Sequence, residues 1–77
     1  MSIKVLYFAS LREKIGRASD LVEANSSMKV TQLWKSATGL DNLPNELLVA
    51  VNQEYTSVDS TVNDGDEVAF FPPVTGG

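Results

Sequence analysis

The chain has 77 residues, ten acidic and six basic, so its formal net charge is −4, and it contains neither histidine nor cysteine. This length predicts one domain, and the negative charge argues against a nucleic-acid partner. The absence of histidine and cysteine excludes the usual general base, a thiolate nucleophile and a zinc–thiolate site. We expect no metal site. We also expect no membrane segment and a cytoplasmic location, because no apolar run is long enough for a bilayer span or a secretory signal.

The N-terminal part predicts a β-hairpin. Residues 3–9, IKVLYFA, are rich in β-branched and aromatic side chains and predict a strand. Residues 10–19 contain Gly16 and four charged residues, which predicts a loop that could include a helical turn. Residues 19–24, SDLVEA, predict a second strand that pairs back onto the first.

A single main helix is predicted next, from about Lys29 to Thr38. Its apolar residues recur at helical spacing and form one stripe, which includes Trp34 as a core residue. Ser26 or Ser27 is a candidate N-cap, and Gly39 stands where a left-handed residue commonly ends a helix.

The second half predicts a connection and further strands. Residues 47–53, LLVAVNQ, form the most apolar run and predict a central strand, whereas 56–62 predicts at most one short edge strand. Residues 63–66, NDGD, predict a turn, and 67–71, EVAFF, predict the last strand. One helix with four to five strands predicts a two-layer α+β domain, in which the last strand returns beside the first.

Strand alternation separates the aromatic residues into two groups. Phe70 should face the core, whereas Phe71 should lie on the outer face with Glu67, and Phe8 should share the outer face with Lys4. Tyr55 follows the central strand and could join them. Aromatic residues on an outer face indicate either a contact surface for a partner or packing against an edge of the same domain.

The C-terminal residues FFPPVTGG predict an extended tail with an accessible end. Pro72 and Pro73 end the last strand and keep the chain extended, so the segment from Pro72 to Gly77 can reach at most about 20 Å. Glycines at the tip have no Cβ, so a narrow channel can admit the backbone. The reactive group there is the terminal carboxylate, a poor electrophile that an external enzyme must activate, most simply as an acyl-adenylate.

Three segments resemble the small subunit of molybdopterin synthase, a family of sulfur-carrier proteins with the ubiquitin-like β-grasp fold. They are IKVLYFASLREKIG (3–16), LLVAVNQ (47–53) and DGDEVAFFPPVTGG (64–77). The resemblance implies a β-grasp domain over residues 1–71, with a mixed sheet of four to five strands and the helix on one face. It also implies a flexible tail over residues 72–77.

The resemblance also implies a mechanism. An adenylating enzyme similar to ubiquitin-activating enzymes would use ATP to activate the carboxylate of Gly77, and a sulfur donor protein would convert it to a thiocarboxylate. The carrier would dock on the large synthase subunit in a heterotetramer and donate sulfur to cyclic pyranopterin monophosphate, which forms the dithiolene of molybdopterin. Catalytic side chains would belong to the large subunit, and the small subunit itself would bind no cofactor.

The same resemblance assigns the site residues. Gly76 and Gly77 would form the functional tip. The residues implied in partner binding are Phe8, Arg12, Tyr55, Phe71, Pro72, Pro73, Val74 and Thr75. A carrier for another pathway such as thiamine, a ubiquitin-like protein modifier and a plain binding module remain as alternatives.

Overall fold

The N-terminal strand pairs with the strand that follows it as a hairpin. In the computed structural model, which describes residues 2–24, 26–44 and 46–72, β1 (Ser2–Tyr7) pairs antiparallel with β2 (Ser19–Glu23). Ile3, Val5 and Tyr7 are buried on the inner face of this hairpin. The predicted first hairpin is therefore confirmed.

The segment between these strands is more regular than predicted. It contains helix α1 (Ser10–Ile15), whose Leu11 is buried in the core, and Gly16 ends it in a left-handed conformation with φ 88°. A six-residue helix has too short an apolar pattern to be distinguished from a turn by periodicity. The buried Leu11 and the partly buried Ile15 pack the helix against the core.

The main helix is α2 (Val30–Thr38), and the predicted N-cap is wrong. Lys29 is the capping residue instead of Ser26 or Ser27, and its backbone N–H donates a hydrogen bond of 3.0 Å to Gln32 Oε1. The short strand β3 (Met28–Lys29) pairs with a later strand, β6 (Thr61–Val62), and this keeps the chain extended up to Lys29. Gly39 ends the helix with φ 77°, as predicted.

The central strand is shorter than predicted and forms a second hairpin. β4 (Leu48–Val51) turns through Asn52 and Gln53, which have φ values of 51° and 72°, into β5 (Glu54–Thr56). The strand β5 was not predicted. Long-range hydrogen bonds hold its turn: the Asn52 amide nitrogen donates to Asp66 Oδ1 at 3.1 Å, and the Glu67 backbone N–H donates to Asn52 Oδ1 at 3.0 Å.

The last strand, β7 (Glu67–Phe71), lies in the middle of the sheet. Five strands have the order β2-β1-β7-β4-β5, and β7 runs parallel to β1 and antiparallel to β4. This confirms the predicted α+β class, the mixed sheet and the return of the last strand beside the first. Because β1 and β7 are parallel, the chain leaves β7 at the same end of the sheet where β1 leads into α1.

The core lies between α2 and the inner face of the sheet. Trp34 is 1% exposed, packs edge-to-face on Phe70 with ring centroids 5.0 Å apart, and donates its indole N–H to the Asn42 carbonyl at 3.2 Å. The predicted core positions of Trp34 and Phe70 are confirmed. The buried apolar residues of this core cluster are Ile3, Val5, Tyr7, Leu11, Ala24, Val30, Leu33, Trp34, Leu47, Val49, Val62, Val68 and Phe70.

Ala9, between β1 and α1, has a backbone conformation that glycine adopts more readily. Its φ is 53° and its ψ is −130°, and hydrogen bonds of 3.1 Å from Leu11 N–H to the Phe8 carbonyl and from Arg12 N–H to the Ala9 carbonyl enclose it. A non-glycine residue held in such a region costs about 1–3 kcal/mol.

We therefore expect Ala9→Gly to raise the free energy of unfolding. Relief of the strain should exceed the roughly 0.5–1 kcal/mol that glycine's extra chain entropy costs, and the net gain of about 1 kcal/mol should raise the melting temperature by about 4–8 °C. Ala18→Gly is the matched control, since Ala18 is exposed and outside the positive-φ region. Equal destabilisation by both changes in thermal unfolding would show that Ala9 is unstrained.

A buried tyrosine links the hairpin to α2 through polar groups. Tyr7 donates its hydroxyl hydrogen bond to Asp20 Oδ2 at 2.9 Å, and Arg17 Nε donates to the same oxygen at 2.6 Å. Arg17 Nη2 also donates to the Ala37 carbonyl at 2.7 Å. Burial, together with the carboxylate of Asp20, raises the pKa of Tyr7 well above its ordinary value.

This shift predicts a loss of stability at alkaline pH. The unfolded chain releases the Tyr7 proton near pH ~10, whereas the folded chain keeps it. The contribution of Tyr7 to the free energy of unfolding is therefore complete below that pH and falls as the pH rises above it. Tyr7→Phe should remove this part of the alkaline decline, while the exposed Tyr55→Phe should keep it. Denaturant unfolding at increasing pH provides the comparison, and parallel declines for all three proteins would contradict the prediction.

Candidate docking surface and the root of the tail

Three aromatic residues meet on the outer face, the face of the sheet opposite α2. The Phe8 and Phe71 rings are stacked with centroids 4.7 Å apart at 11°, and Tyr55 lies 6.0 Å from Phe71 at 52°. Phe8 is 41% exposed, Tyr55 is 73% exposed and Phe71 is half-buried. We call these three residues the aromatic cluster, and their predicted positions on the outer face are confirmed.

Strand register explains why the cluster forms. Phe71 on β7 lies directly opposite Leu48 on β4, and Tyr55 on β5 lies directly opposite Ala50, which in turn faces Ala69. Directly opposed residues project to the same face of a sheet. The missed strand β5 is therefore what brings Tyr55 beside Phe71.

A groove of about 300 Å³ lies beside the aromatic cluster. Small side chains in the centre of the sheet leave this space open, because Ala50 and Ala69 are flanked by much larger residues. The lining residues are Leu6, Phe8, Ala50, Gln53, Tyr55, Glu67, Ala69 and Phe71. An apolar concave surface of this kind suits the side chains of a protein partner.

Sequence reasoning missed Ala50 and Gln53 as members of this surface. Ala50 lies inside an apolar run that was predicted as one central strand, and Gln53 was predicted as the end of that strand. Alternation would have placed Ala50 on the Phe71 face if the β4–β7 register had been known. No local signal in the sequence provides that register, because it depends on pairing across the chain.

Arg12 does not line the groove. It is exposed on α1 and borders a shallow hollow with Glu13, Gly16, Arg17 and Ala18. Since α1 directly follows β1, the guanidinium belongs to the same end of the sheet as the aromatic cluster but to a different surface. Its role in partner binding stays a prediction.

The root of the C-terminal tail adjoins the aromatic cluster. The Phe8 backbone N–H donates to the Phe70 carbonyl at 3.1 Å, which ties the end of β1 to the end of β7. Pro72 follows β7 and is half-buried. The predicted functional residues Pro73, Val74, Thr75, Gly76 and Gly77 lie outside the described residues, and the division at residue 71 stays a prediction.

Two other kinds of feature are absent from the described residues. In residues 2–24, 26–44 and 46–72, no group of three or more acidic side chains is arranged to hold a metal ion. Neither helix of that part of the chain has the length and hydropathy needed to cross a bilayer.

Comparison with known proteins gives consistent matches over almost the whole chain. Residues 5–77 match the ThiS family. The molybdopterin synthase sulfur carrier subunit of Escherichia coli K12 is 48% identical over 97% of this chain and 99% of that protein. The human molybdopterin synthase sulfur carrier subunit is 35% identical over 97% of this chain and 93% of that protein.

Solved structures of similar proteins agree with these sequence matches. The crystal structure of SAMP1 from Haloferax volcanii superposes with a TM-score of 0.82 at 26% identity and covers 100% of both chains. A putative molybdopterin converting factor subunit 1 from Pyrococcus furiosus has a TM-score of 0.73 at 29% identity, over 96% of this chain and 99% of that one. The fold is the ubiquitin-like β-grasp, and the chain belongs to the ThiS family, with molybdopterin synthase sulfur carrier subunits among its relatives.

Proposed function

We propose that this chain is the sulfur carrier and small subunit of molybdopterin synthase. The observation that carries the proposal is that the exposed aromatic cluster and the root of the tail share one end of the sheet. A partner that packs on the cluster is therefore in position to receive the tail. The two relatives described above, each of which matches 97% of this chain, bear the name of that carrier subunit.

The chemistry belongs to the terminal carboxylate of Gly77. An adenylating enzyme joins this carboxylate to the α-phosphorus of ATP and releases pyrophosphate, which gives an acyl-adenylate. A sulfide-level sulfur from a donor protein then attacks the acyl carbon and displaces AMP, which leaves a thiocarboxylate. Because Gly76 and Gly77 have no Cβ, the acyl carbon stays accessible in a narrow channel.

Docking on the large subunit uses the outer face of the sheet. Phe8, Tyr55 and Phe71 supply the exposed apolar area, and rigid aromatic residues are frequent anchors of interfaces. Arg12 provides a charged contact from α1, at the same end of the sheet but on a different surface, and Pro72 with residues 73–75 extends into the active site of the partner. The net charge of −4 favours a partner with a basic surface.

The large subunit supplies the catalytic side chains in this proposal. The chain contains no histidine or cysteine that could act as a general base or carry the sulfur itself. Within a cytoplasmic heterotetramer, two thiocarboxylated carriers each donate one sulfur to cyclic pyranopterin monophosphate, because a dithiolene contains two sulfur atoms. Water cleaves each acyl–sulfur bond and returns Gly77 to its carboxylate, and the large subunit directs formation of the dithiolene.

A reconstituted assay tests the proposed function. Thiocarboxylated carrier, purified large subunit and cyclic pyranopterin monophosphate should yield molybdopterin, and the carrier should return to its carboxylate form. Carrier that was never exposed to the sulfur source is the control and should yield none. If thiocarboxylated carrier binds the large subunit but no dithiolene forms, the assignment to this synthase is wrong.

A second candidate function is that of a protein modifier. It is favoured by the likeness to SAMP1. A second structure of the Haloferax volcanii protein, with a TM-score of 0.80 and 25% identity, names it small archaeal modifier protein 1. The same Gly77 acyl-adenylate could accept a lysine amine and form an isopeptide. Tagged carrier expressed in cells would then be recovered as Gly77–lysine adducts, and their absence beside abundant thiocarboxylate would reject the candidate. A carrier for another pathway such as thiamine would form the thiocarboxylate but fail the synthase assay.

A further inference from the structure

Glu67 is the acidic residue that lines the groove beside the aromatic cluster. It is the first residue of β7, is half-buried, and projects to the same face as Ala69 and Phe71. Its backbone is fixed by two hydrogen bonds with Asn52, of 3.0 Å from the Glu67 N–H and 2.7 Å to the Glu67 carbonyl. The sheet therefore fixes the backbone from which this side chain projects.

The carboxylate of Glu67 has no partner among residues 2–24, 26–44 and 46–72. The two ion pairs of that part of the chain are Arg17–Asp20 and Lys35–Asp41. Lys4 lies in register beside Glu67 on β1, but its ammonium group is outside ion-pair distance. The neighbouring Asp66 differs, because its two carboxylate oxygens accept hydrogen bonds from Asn52 Nδ2 and from the Asn63 N–H.

The shape of the groove complements a long cationic side chain. Ala50 and Ala69 form a low apolar floor, Phe71 and Tyr55 supply aromatic surface, and Glu67 and Gln53 supply oxygen acceptors. Lysine and arginine side chains combine an apolar stem with a charged head. The stem fits the alanine floor and the rings, and the head fits the carboxylate.

The geometry points to Glu67 as the receptor for an arginine or lysine side chain of the partner that docks on the outer face. This inference rests on the proposed function, since the partner is the large subunit. A purely apolar side chain in the same groove would bury the Glu67 carboxylate without a partner, and that carries a large desolvation penalty. The acidic net charge of the chain favours the same choice of a cationic group.

The binding affinity of the large subunit for three forms of the carrier tests the inference. Glu67→Gln keeps the shape of the side chain and removes its charge, and Glu54→Gln makes the same charge change at an exposed residue of β5 that pairs with Val51 and so projects to the inner side of the sheet. We expect Glu67→Gln to raise the Kd at least about tenfold and to weaken its dependence on salt. Glu54→Gln should leave the Kd within about twofold of the unsubstituted value.

The outcomes separate the inference from the proposed function. Melting temperatures first establish that both variants are folded. If the unsubstituted carrier binds, and the Glu67→Gln variant has the same Kd as the unsubstituted carrier at both low and high salt, the cationic anchor is wrong and the proposed function stands. If the unsubstituted carrier does not bind the large subunit, the proposed function fails, and the inference fails with it.

Discussion

Deletion of Gly77 is expected to abolish sulfur transfer without changing the stability of the folded domain. The deletion moves the terminal carboxylate back by about 3.5 Å, and a displacement of even 1 Å from a reactive geometry can cost about 100-fold in rate. Dithiolene formation with the adenylating enzyme, sulfur source, pterin precursor and large subunit should fall to background. The residue lies beyond β7, so no sheet or core contact among the described residues is lost.

Two controls give this experiment its meaning. The melting temperature of the shortened chain should match that of the full chain, and its affinity for the large subunit should stay within a few-fold, because the aromatic cluster is intact. Dithiolene formation at the normal rate by the shortened chain would show that the Gly77 carboxylate is not the sulfur-bearing group.

The second large effect is expected for Phe71→Ala, which should weaken binding to the large subunit more than it destabilises the fold. Phe71 stacks on Phe8 and contacts Tyr55, so its removal disrupts the whole aromatic cluster. Loss of a central aromatic anchor costs about 2 kcal/mol or more in binding, which corresponds to a Kd at least about 30-fold higher. Calorimetric titration with the large subunit measures this change.

The neighbouring residue provides the contrast in stability. Phe70 is fully buried against Trp34, so Phe70→Ala should cost about 3–5 kcal/mol of unfolding free energy. Leu40→Ala is the binding control, since Leu40 is 41% exposed and follows α2 on the other side of the sheet, and the Kd should stay unchanged. A large fall in melting temperature for Phe71→Ala with intact binding would make Phe71 a core residue and contradict the docking surface.

Alternation along the strands made much of the fold predictable. β7 begins and ends at the predicted residues, and within it the exchange of faces between Phe70 and Phe71 follows directly from the pleat. Trp34 was predictable as core because it belongs to an apolar stripe at helical spacing. These features depend on local pattern, which one sequence carries in full.

Features that depend on pairing across the chain were the ones that failed. The N-cap was wrong because β3 pairs with β6 and keeps Lys29 extended. The strand β5 was missed because Asn52 and Gln53 are not a common turn pair, and this turn is held by hydrogen bonds to Asp66 and Glu67. Long-range partners of this kind are not visible in a local window of sequence.

The candidate site divides in the same way. Phe8 and Phe71 were predictable on the outer face from alternation, whereas the groove required the β4–β7 register that places Ala50 opposite Ala69. Arg12 was implied by resemblance alone, and it lies on α1 away from the groove. The roles of Gly76 and Gly77 rest on the sequence of the tail and on its proposed chemistry.

The central claim is that Gly77 carries sulfur, and the intact mass of the chain tests it most directly. After incubation with ATP, the adenylating enzyme and a sulfur source, the mass should rise by the difference between one sulfur and one oxygen atom. The gain should be absent from the chain that lacks Gly77. An unchanged mass, with enzymes that thiocarboxylate another carrier in parallel, would contradict the account.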